Sequence, residues 1–350
     1  MPFAIIREDI TRIKADAIVN TANPKPVCGD GTDRAVYQAA GMEKLLAARR
    51  EIGEIQVGQA AVTPAFALKA NYILHTAGPL WQGGDHGEEE EVRLCYENCL
   101  KMASKLGCKS IAFPLISTGA YGFPKNLALQ IAVSVFRSFL EREEMTIWLT
   151  VFDQESFELS GKLFADIDTY IDENYVEEKL AQEHGGHRFL WRKRQRFEEA
   201  QPQASAFAEP PVAAAASVSR HLAPKAGRRL EDVVAQVEET FQERLFRLID
   251  QRGMTDVEVY KKANLDRKLF SKIRCDTGYQ PKKITALALA IALELNLDET
   301  KDLLLRAGYA LSPSSKFDLI IQYFIEQEIY DIYDINMALF KLEQPVLGSM

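Results

Sequence analysis

The sequence predicts an α/β unit whose helices cover both faces of a sheet, joined by a linker to an all-α unit. Three observations carry that prediction. Through the first 180 residues, short β-branched or apolar runs alternate with helical patterns: Ala17-Ile18-Val19, Tyr72-Ile73-Leu74-His75, Ile111 to Ile116, and Ile147 to Phe152. From Arg192 to about Arg229 this pattern gives way to a basic cluster (Arg192, Lys193, Arg194, Arg196) and an Ala/Pro/Ser-rich stretch, which cannot build a core. After Leu230 only amphipathic helices follow, to about Leu342, broken at Gly253, Asn264, Gly278 to Pro281, Asn296 to Asp298 and Gly308 to Pro313. The expected division is 1–180, a linker at 181–229, and a helical unit at 230–350.

With 350 residues the chain suits two cores. Its 42 basic and 50 acidic residues give a net charge of −8, so any contact with nucleic acid or anionic membrane must be local. Cysteines 28, 95, 99, 108 and 275 form no CxxC and no zinc-like spacing; Cys95 and Cys99, one helical turn apart, read as buried thiols. No signal peptide and no apolar run of membrane-spanning length is visible, so the expectation is a soluble cytoplasmic protein without a membrane partner, metal or cofactor.

The most specific segment is Ser117-Thr118-Gly119-Ala120-Tyr121-Gly122-Phe123-Pro124, placed between the apolar run ending at Ile116 and a helix expected over 126–139. A strand, a loop of glycines and hydroxyls, and then free helix-start amides make a phosphate cradle. Three further polar segments fall at strand ends, where open α/β sheets bind ligands: Glu8 to Thr11, Val19 to Asn23 with the loop Cys28 to Asp33, and Val151 to Asp153.

These four segments, in this order and spacing, resemble the macrodomain family, whose members bind ADP-ribose. The resemblance covers about residues 1–178 and includes His75-Thr76-Ala77-Gly78-Pro79 and Ala39-Ala40-Gly41. It implies a three-layer α/β/α fold with a mixed central sheet. It also implies that Asp9 accepts from the adenine amino group beside the Ile10 amide, and that Phe152 stacks on adenine. Ser117, Thr118, Gly119, Ala120, Tyr121 and Gly122 would wrap the diphosphate, with Gly31, Thr32 and Asn20 in the same ligand set. Asn20 has a second reading as a brace for the loop, and His75 reads as a satisfied core histidine.

Asn23 and Asp33 would face the distal ribose as the catalytic pair. Their spacing of ten residues is similar to that of relatives that remove ADP-ribose from acidic side chains or deacetylate O-acetyl-ADP-ribose. Asn can orient ribose hydroxyls, and an ionised Asp can take a proton from water. The resemblance breaks at Gly29-Asp30-Gly31-Thr32-Asp33-Arg34, where relatives carry glycines followed by Val-Asp-Gly; Asp30 adds a negative charge beside an anionic ligand, and Arg34 could offset it. A hydrolase and a non-catalytic reader of ADP-ribose both follow. Asp33 is expected to cap the following helix, and Glu88 to Glu91 to form a solvated helix start.

Residues 255–305 resemble, more weakly, a phage-repressor type of helix-turn-helix: a helix capped at Thr255, a turn at Asn264-Leu265, a helix capped at Asp266, an apolar helix over 284–295, and another capped at Asp298. Eight basic residues fall within 261–283, whereas 231–350 as a whole carries 15 basic and 20 acidic residues, 15 − 20 = −5. Arg267, Lys268, Ser271 and Lys272 would face a DNA groove. Such a fold also docks proteins, so DNA and protein partners both stay open, as does a regulator in which bound nucleotide tunes DNA binding.

Overall fold

The computed structural model describes residues 3–151, 167, 170 and 239–348. Strands β1 (Phe3–Ile6), β2 (Ala17–Thr21), β3 (Ala60–Pro64), β4 (Tyr72–Thr76), β5 (Ser110–Pro114) and β6 (Thr146–Thr150) form one sheet in the order β1-β6-β5-β2-β4-β3. Every neighbouring pair is parallel except β3 with β4, so the sheet is mixed. The central strands are buried on both faces, which is why they read as apolar runs rather than as alternation.

Side chains alternate between two layers of core. Ala17, Val19, Leu74, Ile111 and Phe113 pack with helices α3 (Glu88–Lys105) and α4 (Lys125–Leu140). Ile18, Ile73 and Ala112 pack with α1 (Thr32–Ala40) and α2 (Met42–Ile52). The chain therefore leaves β2 for a helix on one face and leaves β5 for a helix on the other, although β2 and β5 are neighbours. Their C-terminal ends flank a switch point, where a crevice opens for a ligand.

The C-terminal part is helical, with α5 (Phe241–Gln251), α6 (Asp256–Lys262), α7 (Arg267–Cys275), α8 (Lys283–Ala292), α9 (Leu297–Arg306), α10 (Lys316–Glu326) and α11 (Ile332–Lys341). Capping boxes begin three of them, at Thr240, Thr255 and Asn296. Asn296 rather than Asp298 caps α9, because its side chain reaches the Glu299 amide while Asp298 lies inside the first turn. The α8 run Ala286 to Ala292 is buried throughout. The expected linker at 181–229 lies outside the described residues.

The helical part packs on the β1 edge of the sheet. Asn264, in the turn between α6 and α7, accepts from the Phe3 amide and donates to the Phe3 carbonyl, both at 2.8 Å, thereby standing in for a missing strand. The Phe3 ring lies between Phe136 and Tyr333, Arg137 pairs with Asp331, and Tyr260 donates to Glu144. The layer of core under α3 and α4 runs on into the helical part.

Candidate functional site

At the switch point lies a cleft of about 800 Å³. Asp9 and Ile10 line it after β1, Asn23 and Gly29 to Asp33 after β2, Pro114, Leu115 and Ser117 to Tyr121 at the end of β5 and beyond, and Thr150 and Val151 at the end of β6. Of the residues expected in the ligand set, Asp9, Ile10, Asn23, Gly31, Thr32, Asp33, Ser117, Thr118, Gly119, Ala120 and Tyr121 are brought together in this one cleft. Phe152 lies outside the described residues. Gly122 does not line the cleft, because its amide turns back to the Gly119 carbonyl at 2.9 Å and its φ of 67° closes the turn.

Loop 117–124 is shaped by its own hydrogen bonds. Phe123 donates to the Ser117 carbonyl at 3.0 Å, and the Thr118 hydroxyl to Leu115 at 3.1 Å. Among the described residues, the amides of Thr118, Gly119, Ala120 and Tyr121 have no acceptor. Buried Ser117 also leaves its Oγ without a partner, with its backbone held at φ 62°. Across the cleft, Gly31 starts α1 with φ 59° and no side-chain cap, so the first amides of that helix are open as well. Two sets of unused amides facing one space suit an anion.

Asp9 accepts from the amide and hydroxyl of Thr11 through the same oxygen, at 2.9 and 2.8 Å, which fixes its carboxylate at the cleft margin. Asp30 pairs with Arg34 at 2.7 Å, so its charge is met on the spot.

Asp33 does not cap α1 from outside, as expected from the sequence. It sits inside the first turn, 3% exposed, and its carboxylate points back to accept from Asn20 Nδ2 and from the Gly29 amide, both at 2.5 Å. A Cβ at Gly29 would meet Asp33 Oδ2 at 3.1 Å, which keeps that position small. Burial pushes the Asp33 carboxyl above its usual range, against the Asn20 and Gly29 hydrogen bonds and the positive charge of Arg49.

Asn20 is fully enclosed behind Asp33 and does not line the cleft. It braces, but through side chains rather than backbone: the same Nδ2 also reaches His75 Nδ1 at 3.2 Å, while His75 Nε2 meets Thr63 Oγ1 at 2.9 Å. An amide nitrogen only donates, so His75 Nδ1 accepts and Nε2 carries the proton to Thr63. Burial holds His75 neutral, with its pKa lowered to about 3.

Sequence reasoning missed three supports. Buried Arg49 donates to the carbonyls of Gly53 and Asn23 at 3.2 and 3.3 Å, tying α2 to the Asn23 loop. Gly78 must be glycine because a Cβ there would lie 2.1 Å from Ser117 Oγ. Glu88 is buried rather than solvated; its carboxylate accepts from its own backbone amide and from the amides of Gln82, His86 and Gly84, which together lower its pKa to about 2. Trp81, from that same loop, donates its amide to the Tyr121 carbonyl at 2.9 Å.

A second cavity, of about 480 Å³, lies at the seam between the sheet and the helical part. Its charged lining is largely engaged internally, Arg137 with Asp331, Lys262 with Glu294, and Lys261 with the Glu141 carbonyl. The cleft with unpartnered amides and hydroxyl is therefore the better ligand site. Among the described residues no cluster of His, Cys, Asp and Glu is arranged to hold a metal, and no helix is long and apolar enough to cross a membrane.

Residues 19–132 match the family model of the Macro domain. The chain is 47% identical over 138 residues to a Macro domain-containing protein of Chlorobaculum tepidum, covering 39% of this chain and 80% of that protein. It is 42% identical over 164 residues to an O-acetyl-ADP-ribose deacetylase of Salmonella newport, covering 45% of this chain and 92% of the relative. A Macro domain-containing protein of Methanosarcina mazei is 41% identical over 165 residues, covering 47% and 88% of the two chains. Identity of that level across most of each relative's length makes this chain a member of the macrodomain family.

Proposed function

We propose that the cleft binds ADP-ribose and that its Asn23–Asp33 end hydrolyses an ester on the distal ribose. The open amides of loop 117–121 and of the α1 start suit the diphosphate, and Asp9 with Ile10 suit adenine. One observation carries the hydrolase reading: Asp33 lies at the cleft buried, above its usual carboxyl range, and aimed by two short hydrogen bonds, with Asn23 beside it. A carboxylate of raised basicity is a better proton acceptor near neutral pH, and a positioned base contributes ~10²- to 10⁴-fold.

The step balances without a metal or redox partner. Water oxygen bonds to the ester carbonyl carbon, the acyl C–O bond to ribose breaks, one water proton passes through Asp33 to the ribose oxygen, and the other leaves to solvent as the carboxylic acid ionises. The products are ADP-ribose and a free carboxylate, either acetate or a protein side chain. Asn23 would orient the ribose hydroxyls. The relative named as an O-acetyl-ADP-ribose deacetylase supports this class of substrate.

Hydrolysis of O-acetyl-ADP-ribose and release from glutamate-linked mono-ADP-ribosylated protein test the reading. Wild type should turn over at least one of them, Asp33→Ala should be slowed ~10²-fold or more, and both should keep micromolar ADP-ribose affinity by calorimetry. Binding without release by wild type would leave only a reader.

A second reading concerns the helical part, which would recruit the enzyme to duplex DNA. Its supporting observation is three exposed cations side by side on one helix without an ion pair to a described residue, where Lys282, Lys301 and Lys316 are left so only singly. Arg244, Arg247, Arg252, Lys262, Arg274, Lys283 and Arg306 all pair with carboxylates. Arg267, Lys268 and Lys272 stand exposed on α7 beside exposed Ser271 with no ion pair to a described residue. A gel shift of duplex DNA that weakens steeply with salt, and that is weaker overall with a shallower salt dependence in the triple alanine variant of those three cations, is the expected result. No shift at low salt would point to a protein partner for that face.

A further inference from the structure

Among the described residues, the largest side chain that is fully enclosed belongs to Arg49, in the last turn of α2. Burying a guanidinium is costly unless acceptors and a counter-charge meet it. Its two terminal nitrogens donate to the backbone carbonyls of Gly53 and Asn23, and the Tyr37 hydroxyl, one turn beyond Asp33 on α1, lies against the guanidinium. Its Nε has no partner at all. No described carboxylate lies within ion-pair distance, yet Asp33 feels its charge. An arginine retained in so poorly satisfied a position needs a reason beyond packing.

The surroundings of Asp33 supply one. It faces Asn20 from β2, Gly29 and Cys28 from the preceding loop, Tyr37 along its own helix, and Arg49 from α2. His75 stands behind Asn20 and is held neutral by burial, so it brings no charge. Arg34 is engaged by Asp30 on the exposed side of the loop. Of the groups named around the carboxylate, Arg49 alone brings a buried positive charge. The same guanidinium grips the carbonyl of Asn23, so one side chain bears on both residues at the reacting end, on Asn23 by contact and on Asp33 by charge.

We propose that Arg49 is the positioning residue of the reacting end: from behind the cleft it anchors the Asn23 carbonyl and supplies the counter-charge that keeps Asp33 an anion able to take a proton from water. This rests on the hydrolase reading above. Arg49 does not line the cleft, so it acts through Asn23 and Asp33 and contacts no ligand.

The test is the pH dependence of kcat/KM for ester hydrolysis by the full chain, with Arg49→Met, Arg49→Gln and Arg49→Lys. The acid limb of that profile reports Asp33 losing its charge. Removing a nearby positive charge raises a carboxyl pKa, so the limb should move to higher pH by about one unit in the Met and Gln variants. On the limb itself that is about a tenfold lower rate. The Lys variant keeps the charge and should leave the limb near its wild-type position. ADP-ribose affinity, read by calorimetry, should stay within about threefold in all three, since the diphosphate and adenine contacts are untouched.

Arg49→Gln keeps a donor for the carbonyls while losing the charge, so it decides the matter if Arg49→Met does not fold. An unmoved limb in a folded neutral variant, with or without a uniform loss of rate, would overturn the proposal. So would failure of all three variants to fold, which would make Arg49 a structural residue only. If wild type binds ADP-ribose and releases nothing, the hydrolase reading falls by itself. Carbon-13 NMR titration of the Asp33 carboxyl in wild type and Arg49→Gln then decides the role of Arg49 directly.

Discussion

Asp33 and Asn23 were legible as a pair because their spacing and their chemistry lie in one stretch of chain. What holds them was not, because it comes from other strands and helices. Asn20 is near in sequence, but its link to His75 and onward to Thr63 crosses three strands, β2, β4 and β3. Arg49 reads in the sequence as one more charge on an amphipathic helix. Gly78 is the plainest case: nothing local demands glycine there, and only the approach of Ser117 and Ile116 does, at 2.1 and 2.7 Å from the position of a Cβ. Gly78→Ala should therefore push the phosphate loop out of register without touching ligand. The expected loss is about tenfold in ADP-ribose affinity, or about 1.4 kcal/mol by calorimetry, and unchanged affinity would mean that the loop gives way freely.

At the level of elements, strands and helices followed from apolar runs and capping residues, and their ends held where a cap had a short-range signature. Thr255 and Asp266 begin α6 and α7 as the sequence indicates, since each accepts from an amide two or three residues ahead. Asp298 was the wrong cap because Asn296 competes for the same helix start and wins through its box with Glu299. The β1 edge was not legible at all. Its partner is the side chain of Asn264, held at φ 53° in a turn that sequence alone assigns only to the helices. Asn264→Gly keeps that backbone and removes both hydrogen bonds to Phe3. It should cost about 1–3 kcal/mol in urea unfolding, and an unchanged midpoint would show that the edge is closed by packing alone.

Across the whole molecule, the curated relatives account for the sheet-bearing part and leave the helical part unmatched, since they cover 39% to 47% of the chain. The described parts share a seam at Phe3, Phe136, Arg137, Asp331 and Tyr333. A long-range seam of that kind is not written in local pattern. That seam grips the strand whose chain runs on into Asp9 and Ile10, on the side of the cleft proposed for adenine, while the proposed reacting end holds Asn23 and Asp33. On the proposed reading this cleft holds the ADP-ribose part of its substrate and hydrolyses an ester on the distal ribose. Single-turnover release of ADP-ribose from O-acetyl-ADP-ribose and from a glutamate-linked protein, comparing wild type with Asp33→Ala at matched substrate occupancy, decides it. Wild type should release from at least one of the two and Asp33→Ala at least ~10²-fold more slowly from that one; equal rates for the two proteins, or no release from either substrate by a saturated wild type, would overturn the hydrolase reading.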